Sequence, residues 1–242
     1  MDLFTSVTLF IIILIGYWIQ SISGFGAIIF ALPLSLFFID KSIFLPVILF
    51  TSIIQSLAIV YKDHRYIDRK KFITMLFLSG VGIPFGLIIP DYLNLTIANY
   101  LLGSFIIFNS GYTLYLDIKN KKRDNKIRLF HHLYPFFSGI LQTAYGMGGP
   151  LIGTYMNKQT KKKRTYRVMI SLYWCILNPF IIIGYFFKTS IDIRHLKLFL
   201  LFFPAVILGY LLGNFTIDKI SQKKFECVTH IILIIIGFTL FF

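Results

Sequence analysis

The sequence predicts an all-α integral membrane protein of two inverted repeats, each a broken helical hairpin plus three transmembrane helices. Three observations lead there. The composition is that of a membrane chain, two apolar runs are too long for one crossing and carry glycine clusters near their middles, and the positive residues gather in short loops.

Of 242 residues, 57% are hydrophobic and 14% charged, far from the balance of a water-soluble domain. A hydrocarbon core about 30 Å thick takes roughly 20 apolar residues per helical crossing. The runs here have that length or come in pairs of shorter ones, so residues 1–242 are expected to form one membrane domain. The formal net charge of +14 could suit nucleic acid, but its 24 Lys and Arg fall almost wholly in short loops. Such loops mark the cytoplasmic side, and no nucleic-acid partner is expected. Cys175 and Cys227 lack the spacing of a metal site or disulfide framework and read as packing residues. Met1-Asp2 opens the chain without a basic segment, so the first apolar run is expected to be retained rather than cleaved as a signal.

The apolar runs are 4–39, 43–61, 72–90, 96–116, 129–156, 168–187, 196–214 and 225–242. Three basic loops, 61–71, 117–128 and 157–167, are expected in the cytoplasm. Two runs between the first and second loops close the arithmetic of sides. Only 129–156 lies between the second and third, so it must go in and return on the same side as two short helices. The run 4–39 is read likewise, with its break at Gly24-Phe25-Gly26 matching Gly146-Met147-Gly148-Gly149. The repeats are then 1–118 and 129–242, joined by a basic linker at 119–128. Each has an odd number of segments, so the second sits upside down relative to the first, with both termini outside the cell membrane.

Weak but ordered matches support the duplication. Gln20 to Gly26 aligns with Gln142 to Gly148 at an offset of 122, Gly82 and Gly86 with Gly209 and Gly213 at 127, and 111–116 with 237–242 at 126. Duplication with inverted topology is a transporter signature.

A break at membrane depth survives only where protein or a water-filled cavity covers the backbone. The helix after it begins with unpaired N–H groups and a positive dipole end, and two such ends converging near the midplane would form an anion site. Gly24, Gly26, Gly146, Gly148 and Gly149 would let the anion approach the backbone, and Pro150 suits the first turn of the helix that follows. Gln20, Ser23, Gln142 and Tyr145 would add hydrogen-bond donors. Gly-x-Gly alone is more often a packing surface; recurrence at matched positions favours the ligand reading. Gln55 matches Asn178 at an offset of 123, and both are amides within apolar helices. A bend at the Asn178-Pro179 step explains the second equally well.

No carboxylate pair falls mid-membrane, so a proton relay or a carboxylate sodium site lacks parts. No cofactor, metal or catalytic residue is expected. Tyr17, Trp18, Tyr61, Tyr66, Tyr92, Tyr155 and Tyr166 near helix ends read as an aromatic belt.

The stretches "QSISGFGAIIFALPL" and "SGILQTAYGMGGPLIGTY", with glycine-spaced helices after each, resemble the TauE/SafE family of sulfite exporter-like permeases over essentially the whole chain. The first motif carries Ala27 and Ile28 where glycine-richer forms have a further Gly and Pro. The resemblance implies transport of sulfite, sulfonates or related organic anions across the cytoplasmic membrane. The expected partners are thus a small anion and the lipid bilayer, with self-association left open. Two alternatives stand beside it: a lipid-modifying enzyme using His131, His132 and Asp117 or Asp124, and a membrane scaffold with no flux.

Overall fold

A computed structural model describes residues 3–89, 92, 94–119, 129–145, 148–186 and 192–241. Gly146 and most of the linker 119–128 lie outside them, as does the side chain of Tyr145. The described residues form ten α-helices: α1 (Leu3–Ser23), α2 (Ala27–Ser35), α3 (Lys41–Asp63), α4 (Arg69–Ile88), α5 (Leu95–Ile118), α6 (Leu133–Tyr145), α7 (Gly149–Gln159), α8 (Lys163–Phe186), α9 (Ile193–Lys219) and α10 (Gln222–Thr239). Among the described residues five helical segments are long and apolar enough to cross a membrane: Leu3–Ser23, Lys41–Tyr66, Arg69–Ile88, Lys163–Ile183 and Ile193–Lys219. The chain is a multi-pass membrane protein.

Both long runs break. The second gives two short helices of 13 and 11 residues, the later one opening at Gly149-Pro150 as expected. The first is lopsided. Its α1 has 21 residues and α2 only 9, so at about 1.5 Å per residue the first break follows a membrane's length of helix. No proline and no charged residue stands between Leu3 and Ser23, so nothing there stops the helix earlier.

The chain divides into two compact units that do not coincide with the sequence halves: Met1–Ile67 with Arg167–Lys219, and Asp68–Tyr166 with Ile220–Phe242. The first unit holds α1, α2, α3, most of α8, and α9. Its core gathers Leu9, Ile13 and Tyr17 from α1, Ala27 and Ala31 from α2, Phe44 and Ile48 from α3, and Phe202 and Val206 from α9. α2 folds back on α1 at Gly16, where an added Cβ would make ordinary contact with the Ala27 backbone at 3.4 Å.

The second unit holds α4, α5, α6, α7 and α10. Its α4 packs on α6 and α5 on α10, where Gly103 and Gly237 face each other. The matched glycines make matched contacts in the two units. Gly209 and Gly213 of α9 press on Tyr17 and Ser21 of α1; Gly82 and Gly86 of α4 press on Phe136, Ile140 and Thr143 of α6. Small residues at these positions let backbones approach where lipid supplies no hydrophobic force between helices.

Candidate functional site

The first break is built by glycine. Gly24 has φ +80° and Gly26 φ +119°, left-handed values that side-chain-bearing residues rarely adopt. The Gly24 N–H donates to Gln20 O at 2.7 Å, the last bond of α1. Ser23 Oγ then donates to Phe25 O at 2.6 Å and holds the turn. Gly24 lies against α8, where a Cβ would come within 2.7 Å of Arg167 O.

No side chain caps the α2 that follows, and its start is buried: Phe25 is 1% and Ala27 0% exposed. Helix geometry leaves the first N–H groups without intrahelical partners. A buried, uncapped helix start is a place for water or an anion.

The second break is held differently. Gly148 N–H donates to Gln142 Oε1 at 2.9 Å, and Ser138 Oγ donates to Gly148 O at 2.8 Å. Gln142 therefore serves as an acceptor that closes the break, leaving its Nε2 as the donor. Gly149, Pro150, Leu151 and Ile152 are all buried, and Pro150 brings no N–H of its own.

The other expected donors divide. Gln20 Nε2 is spent on Ser52 Oγ at 2.9 Å and Gln55 Nε2 on Tyr17 O at 2.9 Å. Gln55 Oε1 has no partner, and Asn178 is wholly buried with neither amide atom bonded. Within the first unit lie Gln20, Ser23, Gly24, Gly26, Gln55 and Asn178; within the second, Gln142, Gly148 and Gly149.

Sequence reasoning named Gln55 but missed the polar stripe that contains it. Ser52, Gln55, Ser56 and Asp63 are buried along α3, and Ser171, on α8 one turn after Arg167, is buried with an unbonded hydroxyl. The signal was the spacing of Ser52, Ser56 and Asp63, which places them with Gln55 on one helical face. It also missed an ion pair. Arg167, assigned to a solvated basic loop, sits inside α8 with 0% side-chain exposure and pairs with Asp63, also at 0%. Its Nε donates to Asp63 Oδ2 at 3.0 Å, and Nη1 to Ser21 O at 3.0 Å and Asn214 Oδ1 at 2.9 Å. Burial forces the pairing, because an isolated charge there would cost several kcal/mol, roughly.

Three tyrosines leave the expected belt. Tyr17, Tyr155 and Tyr166 are buried, whereas Tyr61, Tyr66 and Tyr92 are exposed. Tyr17 is drawn inward because its hydroxyl bonds Ile48 O at 3.0 Å. His131 and His132, the enzyme reading's bases, pack on aromatic rings: His131 stacks on Phe130 and His132 tilts against Tyr155. Asp124 lies outside the described residues. Among the described residues no group of three or more His, Cys, Asp or Glu could hold a metal ion.

No curated protein and no solved structure matches the chain. The model of the family described as sulfite exporter TauE/SafE matches residues 9–240, both broken hairpins and every helix after them included. A multi-pass chain interrupted at two glycine clusters, and matched to that model over nearly its whole length, belongs to the sulfite exporter TauE/SafE family.

Proposed function

We propose that the chain is a secondary transporter for a small anion, sulfite, a sulfonate or a related organic anion, held by backbone N–H groups at a half-helix start and moved by alternating access. It is a permease of the cell membrane and not an enzyme. The observation that carries the reading is the start of α2: buried, uncapped, and approached through two glycines at positive φ. An anion there would receive unpaired N–H donors and the positive end of the helix. Family membership and the matched helix order of the two halves support the same reading, and the glycine contacts shared by α1–α9 and α6–α4 support an inverted repeat.

The test is flux in proteoliposomes loaded with labelled sulfite, with sulfonates, carboxylates and a neutral sulfone as competitors. Saturable flux inhibited by anions and not by the sulfone is expected. Flux equal to that of empty liposomes, or equal inhibition by the sulfone, rejects the proposal.

A further inference from the structure

The first break falls where α8 meets the end of α1, and one residue of α8 touches it from two directions. The Gly24 N–H makes the last bond of α1, to Gln20 O. The next carbonyl, Ser21 O, would accept from the Phe25 N–H if the helix ran on. Instead the Phe25 N–H turns to Ser23 Oγ at 3.4 Å, and Ser21 O accepts from Arg167 Nη1 at 3.0 Å. The last carbonyls of a helix need such partners, and a cation at that end also suits the dipole. The second contact is made by backbone. Arg167 O lies so close to Gly24 that an added Cβ would come within 2.7 Å of it. One arginine thus holds the chain at Ser21 with its side chain and at Gly24 with its main chain.

The rest of the guanidinium is anchored elsewhere. Nε and Nη2 donate to Asp63 at the end of α3, and Nη1 also donates to Asn214 Oδ1 on α9 at 2.9 Å. Asn214 follows Gly213, the residue against which Ser21 packs. Arg167 is therefore a junction of α1, α3, α8 and α9. Every nitrogen of its head donates within the protein, so it acts on an anion through the break that it holds rather than by touching it.

Stability alone does not account for the junction. Asp63 is the last residue of α3, the end where a helix dipole disfavours a carboxylate. A buried ion pair can often be replaced by apolar side chains of similar volume with no loss of stability. What an apolar side chain cannot do is take the Ser21 carbonyl. Lysine would keep the charge opposite Asp63, but it lacks the planar fork that reaches Asp63, Ser21 O and Asn214 together.

On the transport reading above, we infer that Arg167 is a positioning residue for anion binding. By taking Ser21 O it fixes the end of α1 and the turn through Gly24 and Gly26, so that the N–H groups at the start of α2 are held toward one spot.

The experiment measures labelled sulfite flux in proteoliposomes for wild type, Arg167→Lys and the apolar double variant Arg167→Met with Asp63→Leu, each normalised to folded protein. Both variants are expected to raise KM about tenfold, the loss of one charge-assisted hydrogen bond that sets the binding geometry, with the maximal rate nearly kept. A brace that only stabilises would leave KM at its wild-type value in the folded double variant, and that result overturns the assignment. Should the double variant not fold, Arg167→Lys, which strands no buried charge, gives the same reading. Hydrogen exchange is followed in parallel, and faster exchange at residues 21–28 in both variants, with α10 unchanged, is expected. Exchange there as slow as in wild type overturns the role of Arg167. Wild type without sulfite flux rejects the transport reading instead, and the exchange result then decides for or against Arg167 by itself.

Discussion

The side-chain carbonyl of Gln142 accepts the backbone N–H of Gly148 at 2.9 Å, closing the second break from within its own hairpin. A glutamate at 142 would keep that acceptor and place a negative charge near the start of α7, where the helix dipole favours it. Gln142→Glu is therefore expected to hold or raise the melting temperature while cutting anion flux at least about tenfold by like-charge repulsion. Gln142→Leu should instead lower stability by about 1–3 kcal/mol, the cost of a buried donor left unpaired. If Gln142→Glu transports as wild type does, no anion reaches α7.

Gly24 cannot accept a side chain quietly. Its φ of +80° is strained for any L-residue, and an added Cβ would sit 2.7 Å from Arg167 O and 3.0 Å from Ile170 Cβ. Gly24→Ala should cost about 1–3 kcal/mol for the conformation, before any clash, measurable as a lower melting temperature in detergent. Gly80, on an open face of α4, is the control. Nothing lies within 4 Å of a Cβ there, and Gly80→Ala should stabilise by about 0.5–1 kcal/mol.

The Arg167–Asp63 pair predicts non-additive behaviour. Arg167→Met and Asp63→Leu should each destabilise by about 3–5 kcal/mol, because each strands a buried charge. The double variant should recover much of that loss. Additive losses in a double-mutant cycle would mean that the two side chains do not act as a pair.

At the start of α4, Asp68 Oδ1 accepts the Lys71 N–H at 3.2 Å, and that bond holds its carboxyl below the usual carboxylate range. Asp68→Ala should cost about 0.5–2 kcal/mol as the loss of an N-cap. With the folded-state value depressed, the contribution is whole above the ordinary carboxylate pKa and fades as pH falls through the lowered one. Wild type and Asp68→Ala should thus converge in melting temperature only in strong acid. A constant difference down to the lowest pH would exclude the carboxylate as its source.

Much of the architecture was legible because membrane helices announce themselves through apolar length and their breaks through glycine. The opening of α7 at Gly149-Pro150 is read directly from the fixed φ of proline and its missing N–H. The inequality of α1 and α2 was not, since the charge rule counts crossings and says nothing of where along a run the break falls. In the candidate site, residue type named donors but not their commitments. Gln20 and Gln55 look alike in sequence, yet both Nε2 atoms are already bonded, and of these two and Asn178 it is Asn178 that has neither amide atom bonded. Arg167 was misread for a related reason: a lysine-rich neighbourhood hides one arginine whose partner, Asp63, stands 104 positions earlier.

Because each compact unit joins two segments that lie far apart in the sequence, synthesis and folding cannot keep step. When α3 leaves the ribosome, α1 still lacks α9, and its Tyr17 and Ser21 surface must wait against lipid until residues 209 and 213 are threaded into the bilayer. A gene severed in the linker should therefore yield two fragments that are each proteolysed when made alone, and that rescue one another when made together. Newborn chains would depend on insertion factors that shelter unfinished helices, a burden that a protein whose repeats folded one after the other would escape.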